Sequence, residues 1–336
     1  MSAGGRAGAW LAEQWYARRA WLGLLLPLAG VFRVLAGVRR AGFAMGWFKR
    51  VRLPVPVIVV GNITVGGTGK TPLVLWLVDA LRRAGLRPGI VARGYGGENS
   101  LQAVAPDADP AAVGDEPLLL ARRSGCPVWV GKDRAAAGTA LLAAHPECDV
   151  LVADDGLQHY RLARDFEIAV LDGVRGFGNR LPLPAGPLRE PVSRLNHCDA
   201  VVVNGAWGAE GPPPAAAYRM AVVGDRLCNV REPGRCVEAR AFEGRRVRAI
   251  AGIGNPQRFF DELRRLGMRN FDRQAFPDHH AFTAADLAYD GYDAIVMTEK
   301  DAVKCTAFAA GHCWALHVRA EVDPALGARI LTELKQ

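Results

Sequence analysis

The chain has 336 residues, half of them hydrophobic and 23% charged, enough to bury two cores of ordinary size, which excludes a mainly disordered or fibrous protein. Its 42 basic and 34 acidic residues give a formal charge of +8, but nine of the basic groups and a single acid, Glu13, fall within residues 1–52, leaving 33 of each beyond. A neutral body behind one basic segment argues against a nucleic-acid partner.

That basic segment is also strongly apolar, interleaving Trp10, Trp15, Tyr16, Trp21, Phe32, Phe43, Trp47 and Phe48 with leucines and arginines. Its uninterrupted apolar run, Ala20 to Phe32, is 13 residues long and contains Pro27, short of the roughly 20 that cross a bilayer. A helix lying in the membrane interface is the expectation for residues 1–50. It ranks ahead of a span aided by snorkelling of Arg33, a cleaved signal peptide, or a helix packed in a protein core.

Beyond residue 52, short β-branched runs alternate with helical stretches: Val55 to Val60, Gly89 to Ala92, Val128 to Val130, Val150 to Ala153, Ile168 to Leu171 and Ala200 to Val203. Continuous apolar strands separated by helices, the clearest being Pro72 to Ala84, predict an α/β fold whose parallel sheet is covered on both faces.

Between the first strand and that helix stands TVGGTGKT, residues Thr64, Val65, Gly66, Gly67, Thr68, Gly69, Lys70 and Thr71. Glycines in this strand-to-helix setting let backbone N–H groups face phosphates at a helix N-terminus, so a P-loop NTPase-like core binding ATP or GTP is predicted. Lys70 is expected on the β- and γ-phosphates, and the Thr71 hydroxyl on Mg²⁺. Thr64 departs from the usual pattern, which begins with glycine.

Arg93 and Tyr95 follow a strand end, where they either meet an acceptor phosphate and sugar or form a tight turn. Gly114-Asp115-Glu116-Pro117 precedes an apolar helical run and by itself suits a helix N-cap. Asp154 and Asp155 end a strand beside the loop strand, where the carboxylate that holds Mg²⁺ or its waters sits in such folds. Gln158 and His159, just beyond, either touch nucleotide or sugar or stabilise the turn.

The pattern weakens between Ala206 and Arg245, so a boundary is placed near 225–245. The expected organisation is a core domain over 51–235 and a smaller α/β domain over 236–336, the latter with Arg248 to Ile253, a helix from about Pro256, Ala294 to Thr298 and Trp314 to Val318. His279 and His280 lie in a Pro-Asp-led loop, and Thr298 to Asp301 end a strand facing an interdomain cleft. Seven widely spaced cysteines without a C-x-x-C pair predict neither a disulfide framework nor a zinc site, and favour a reducing compartment.

With VGNITVGGTGKTP (60–72) and DDGLQHYRLARD (154–165) both in view, the chain resembles the tetraacyldisaccharide 4'-kinase family of lipid A synthesis. ARGYGG (92–97), GDEP (114–117), PDHH (277–280) and VMTEKDAVK (296–304) look like that family as well. The family loop takes Ser or Thr at the position of Thr64. The resemblance implies transfer of the γ-phosphate of ATP, with Mg²⁺, to the 4'-hydroxyl of an acylated glucosamine disaccharide 1-phosphate at the cytoplasmic face of the inner membrane. It also implies Asp115 as the base, paired with His279, with His280 as the alternative, and Arg189 and Glu190 as acceptor or metal-shell residues, the alternative being a surface ion pair.

A membrane-associated ATPase acting as a targeting or partitioning switch is the other reading. Such loops resemble K-G-G-x-G-K-[ST], with lysine where Val65 stands here.

Overall fold

The computed structural model describes residues 10–11, 13–17, 19–94 and 100–334. A 3₁₀ turn, Ala20–Leu25, leads into α1, Leu26–Ala44, with Pro27 in the first turn, where its missing N–H costs nothing. Together they make one 25-residue helix, long and apolar enough to cross a membrane, of whose most apolar stretch 11% is buried. A helix packed in a protein core is therefore excluded.

Trp21, Leu24, Leu28, Val31, Leu35 and Val38 recur at helical spacing and are all exposed. The opposite side is tethered: the Trp15 indole donates to Pro184 O at 2.9 Å, Leu22 and Ala29 are buried, and Phe43 lies 6.0 Å from the Tyr160 ring.

The strands and helices that follow are β1 Val57–Gly61, α2 Lys70–Arg83, β2 Pro88–Ala92, β3 Gln102–Ala103, α3 Pro110–Val113, α4 Asp115–Ser124, β4 Val128–Val130, α5 Arg134–Ala144, β5 Val150–Asp154, β6 Phe166–Asp172 and β7 Ala200–Asn204. After them come β8 Tyr218–Asn229, β9 Cys236–Val237, β10 Val247–Ala251, α6 Pro256–Arg265, β11 Asp272–Ala275, β12 Ala294–Thr298, α7 Glu299–Cys305, β13 Cys313–Val322 and α8 Pro324–Glu333.

All thirteen strands belong to one sheet in the order β11-β10-β12-β13-β8-β7-β6-β1-β5-β2-β4-β3, with β9 paired to β8 off this path. From β8 to β4 every neighbour is parallel. The parallel group β13-β12-β10-β11 joins this half through the antiparallel pair of β8 with β13. The fold is thus α/β with a mostly parallel sheet, as the alternating pattern predicts; eight of the nine expected strands fall within two residues of their positions, β13 runs four residues past Val318 to Val322, and β3, β8, β9 and β11 are not foreseen.

Strand β8 is the longest of the unforeseen strands and lies inside the segment whose pattern weakens. Its burial is mixed along its length, because its β13 half forms a two-stranded ribbon partly open to water. No clean period of two results.

Helices α2, α4 and α8 cover one face of the core through Leu73, Leu77, Leu81, Leu118, Leu326 and Ile330, while α5 covers the other with Ala137 and Leu141. The chain's last helix therefore returns to the first core. A further departure is a disulfide between Cys228 and Cys236, which face each other where β9 pairs with β8. Spacing alone does not reveal it, since the juxtaposition comes from strand register.

Leu326, fully buried, tests the return of α8. Leu326→Ala is expected to lower stability by about 2–5 kcal/mol in urea unfolding, whereas a peripheral helix would show almost no change.

Candidate active site

The first half of the site is built at the C-terminal end of β1, flanked by β5 and β6. The chain leaves β1 through Asn62, turns at Gly66 (φ 108°) and Gly69 (φ 97°), and enters α2 at Lys70. Only glycine takes these positive φ values without strain. A side chain at Gly69 would also strike Asn204, whose Nδ2 donates to Thr68 O at 2.9 Å.

Thr64 is buried and bridges to Leu188, while Val65 N donates to Pro187 O at 2.8 Å. Asn62, also buried, donates from Nδ2 to Gly66 O and accepts from Lys70 Nζ at 3.4 Å. It supports the loop from below, a role that a glycine pattern does not reveal.

Across from the loop stand the two aspartates that end β5. Asp155 Oδ1 is 3.4 Å from Lys70 Nζ, and its Oδ2 accepts from Arg189 at 3.2 Å. Burial favours the protonated form of Asp155, but Lys70 and Arg189 outweigh it and hold the carboxyl down to about 2. Asp154 is the reverse case. Its burial, reinforced by the nearby Glu116 charge, pushes its pKa well above the usual carboxylate range.

Asp154 Oδ1 and Thr68 Oγ1 are both buried without a hydrogen-bond partner. Such orphaned oxygens mark where a cation and a phosphate fit. Among the described residues no three His, Cys, Asp or Glu side chains cluster as a metal cage.

Arg134, at the start of α5, holds this corner together and went unrecognised in the sequence. It has no exposed surface, and its guanidinium donates to the carbonyls of Gly131, Asp154 and Asp155, with Nη1 3.3 Å from His159 Nε2. Asp155 sits at φ 48°, an uncommon conformation for a non-glycine residue and one that this clamp stabilises. Burial first, then the Arg134 charge, lowers His159 to about 4.

Gln158 points the other way, donating to Asn62 O at 3.0 Å and to Glu190 Oε1 at 2.6 Å. Glu190 is buried and also accepts from Tyr160, with Arg194 Nε at 3.4 Å. Arg189 and Glu190 thus form no surface ion pair with each other: one braces Asp155, the other the loop under Asn62. Arg93 is exposed at the end of β2, and Tyr95 lies outside the described residues.

The second half comes from α4 and the C-terminal unit. Asp115 is the first residue of α4, one position past the N-cap Gly114, and its Oδ1 accepts only from the adjacent Glu116 N at 3.0 Å; no side chain caps this helix, so the N-cap expectation for Asp115 is not met. Its Oδ2 lies 3.2 Å from His279 Nδ1. His280 is engaged elsewhere, stacked on Phe276 and 3.3 Å from Asp286, which settles which histidine faces Asp115.

Burial would raise the Asp115 pKa, but His279 and Lys300 outweigh it and hold it low; the same contact raises that of His279. Loop contacts seat this unit beside the phosphate loop. Arg175 Nη2 donates to Gly254 O at 3.0 Å, and Arg258 Nη2 donates to Asn204 Oδ1 at 2.6 Å. Thr298 caps α7, and Asp301 accepts from Gly252 N at 2.9 Å, so these two residues build the unit itself.

A family model described as Tetraacyldisaccharide-1-P 4'-kinase matches residues 21–335. Proteins named tetraacyldisaccharide 4'-kinase include one from Methylobacillus flagellatus, 49% identical over 97% of this chain and 96% of its own length. Another, from Azoarcus sp., is 54% identical over 93% of this chain and 92% of its own. The crystal structure of LpxK from Aquifex aeolicus in complex with ATP is similar at a TM-score of 0.78 and 28% identity, covering 93% of this chain and 99% of that one.

The His159 environment has a pH consequence. The unfolded chain takes up this proton near pH 6.5 and the folded chain near 4. Stability is therefore expected to fall as pH drops through that window. An NMR titration of the His159 ring checks it, and a midpoint at its ordinary value would show the ring to be solvated instead.

Proposed function

The chain belongs to the tetraacyldisaccharide-1-P 4'-kinase family, and we propose that it transfers the γ-phosphate of ATP to the 4'-hydroxyl of a tetraacylated glucosamine disaccharide 1-phosphate, with Asp115 as general base and Lys70 on the transferred phosphate. It is an ATP-binding kinase of lipid A biosynthesis. The switch ATPase reading is set aside by the family match over residues 21–335. The observation that carries the chemical assignment is the 3.2 Å approach of His279 to a buried Asp115, next to Gly254, which neighbours both Asp278 and Gly67 of the phosphate loop.

A sugar hydroxyl is a weak nucleophile, so the transfer depends on position, neutralised charge and somewhere for the proton to go. Residues Thr64 to Thr71 cradle the triphosphate, and Lys70 leaves Asn62 and Asp155 to meet the β- and γ-phosphates. The 4'-oxygen forms a bond to the γ-phosphorus while the bridging bond to ADP breaks. Its proton passes to Asp115, and His279 orients that carboxylate and shares the charge.

Thr71, with Asp154 as the open carboxylate and Asp155 beside it, would hold Mg²⁺, which supplies charge neutralisation at the phosphates. Arg189, Arg93 and Tyr95 serve the anionic acceptor. Gln158, His159 and Glu190 keep the loops in place. Residues 51–235 act as the kinase core, and 236–336 close the cleft.

An acylated acceptor lives in a bilayer, and the exposed stripe of α1, with the exposed Arg33 near it, suits an anionic lipid surface. The enzyme works there from the cytoplasmic side of the inner membrane.

With Mg·ATP, the purified full chain is expected to phosphorylate the detergent-dispersed acceptor and to leave its 4'-deoxy analogue unmodified. Lys70→Ala should nearly abolish this. Asp115→Ala should lower kcat by about 10²-fold or more while ATP affinity changes little; normal turnover in that variant would leave Asp115 as a first-turn acid alone. Removing residues 1–44 should release the protein from anionic vesicles in a sedimentation assay, and persistent pelleting would refute the anchor.

A further inference from the structure

Lys300 lies in the first turn of α7, yet its ammonium group serves the opposite side of the cleft. Its Nζ is 3.0 Å from Glu116 Oε1 and 3.9 Å from Asp115 Oδ2 on α4. On the loop after β11 it lies 3.8 Å from Asp278 Oδ1 and 3.4 Å from His279 Nε2. The side chain is 18% exposed, so the group sits in a desolvated setting where charge interactions are strong.

Three carboxylates and an imidazole from two separate elements converge on this ammonium. Glu299, beside it in sequence, is committed elsewhere, pairing with Arg123 and accepting from Val318 N at 2.9 Å. Lys304 is likewise occupied, 2.7 Å from Asp301. Without Lys300, the buried Asp115 would face the partly exposed Glu116 and Asp278 with no ammonium between them.

We propose that Lys300 is a positioning residue for the phosphoryl transfer, tying the α4 carboxylates to the His279 loop so that Asp115 and His279 keep the geometry the proton transfer requires. The inference rests on the assignment of Asp115 as base. Its electrostatics agree: Lys300 favours the carboxylate form of Asp115 and opposes protonation of His279. Burial would lower the lysine's own pKa, and Glu116 and Asp115 outweigh it, raising it above its ordinary value.

A merely structural lysine and a positioning lysine differ in their pH signature. Asp115 must be ionised to accept a proton, so removing the neighbouring cation raises the pH needed for activity. Lys300→Met, Lys300→Arg and Asp115→Asn are made in the full chain and assayed with Mg·ATP and the tetraacylated disaccharide 1-phosphate, with melting temperatures recorded alongside.

Lys300→Met is expected to lower kcat by about 10²-fold, to leave the KM for ATP within about twofold, and to move the acid limb of kcat/KM up by about one pH unit. Lys300→Arg should recover most of both losses. Wild-type kcat in Lys300→Met, or a reduced kcat with an unmoved acid limb, overturns the proposal. Should the methionine variant not fold, Lys300→Gln, which keeps a donor toward Glu116, is judged by the same acid limb. Normal turnover in Asp115→Asn would instead overturn the base assignment beneath it, so the two failures are distinguishable.

Discussion

A parallel sheet places the C-terminal ends of its strands along one edge, and the placement of β1 between β5 and β6 puts three loop-bearing strand ends side by side there. The glycine loop leaves β1 at that edge, the paired aspartates leave β5, and the segment through Arg189 and Glu190 packs back against the loop through Val65 and Leu188. Once β1 takes the central position, the nucleotide side of the site follows from where the neighbouring strands stop.

The same edge then has a charge problem. Asp154 and Asp115 are buried beside the partly exposed Asp155 and Glu116, and buried acids persist only when paired or protonated. The structure resolves this unevenly. Asp155 is neutralised by Lys70 and Arg189 and stays ionised, Asp154 lacks a close cationic partner and is pushed toward its protonated form, and Arg134 occupies the space behind both. A dication arriving with the nucleotide suits that imbalance, because its charge would favour the ionised form of Asp154.

The acceptor side depends on a different connection. The antiparallel pair of β8 and β13 joins the two parallel groups of strands, and α8 locks the end of the chain onto the first core. His279 and Lys300 are thereby delivered opposite Asp115, although they lie more than 160 residues away in sequence. His279 holds φ 58°, a conformation that costs free energy and is found where a side chain must be aimed.

The sequence by itself determined the phosphate loop, the alternating α/β pattern and the apolar, basic character of the N-terminal segment. Each of these is written in contiguous residues whose spacing dictates backbone geometry: glycines where φ must be positive, β-branched runs where strands are buried, arginines among leucines along a helix whose apolar side is exposed. Asp115 was locally indistinguishable from a helix cap, and only resemblance to a family raised it above one. Tertiary structure decided the rest. It selected His279 over His280, separated Arg189 from Glu190, joined Cys228 to Cys236 through strand register, and brought in Asn62, Arg134 and Lys300. Those choices depend on charges and donors brought together from distant segments, and no local pattern encodes a contact that exists only after the sheet has formed.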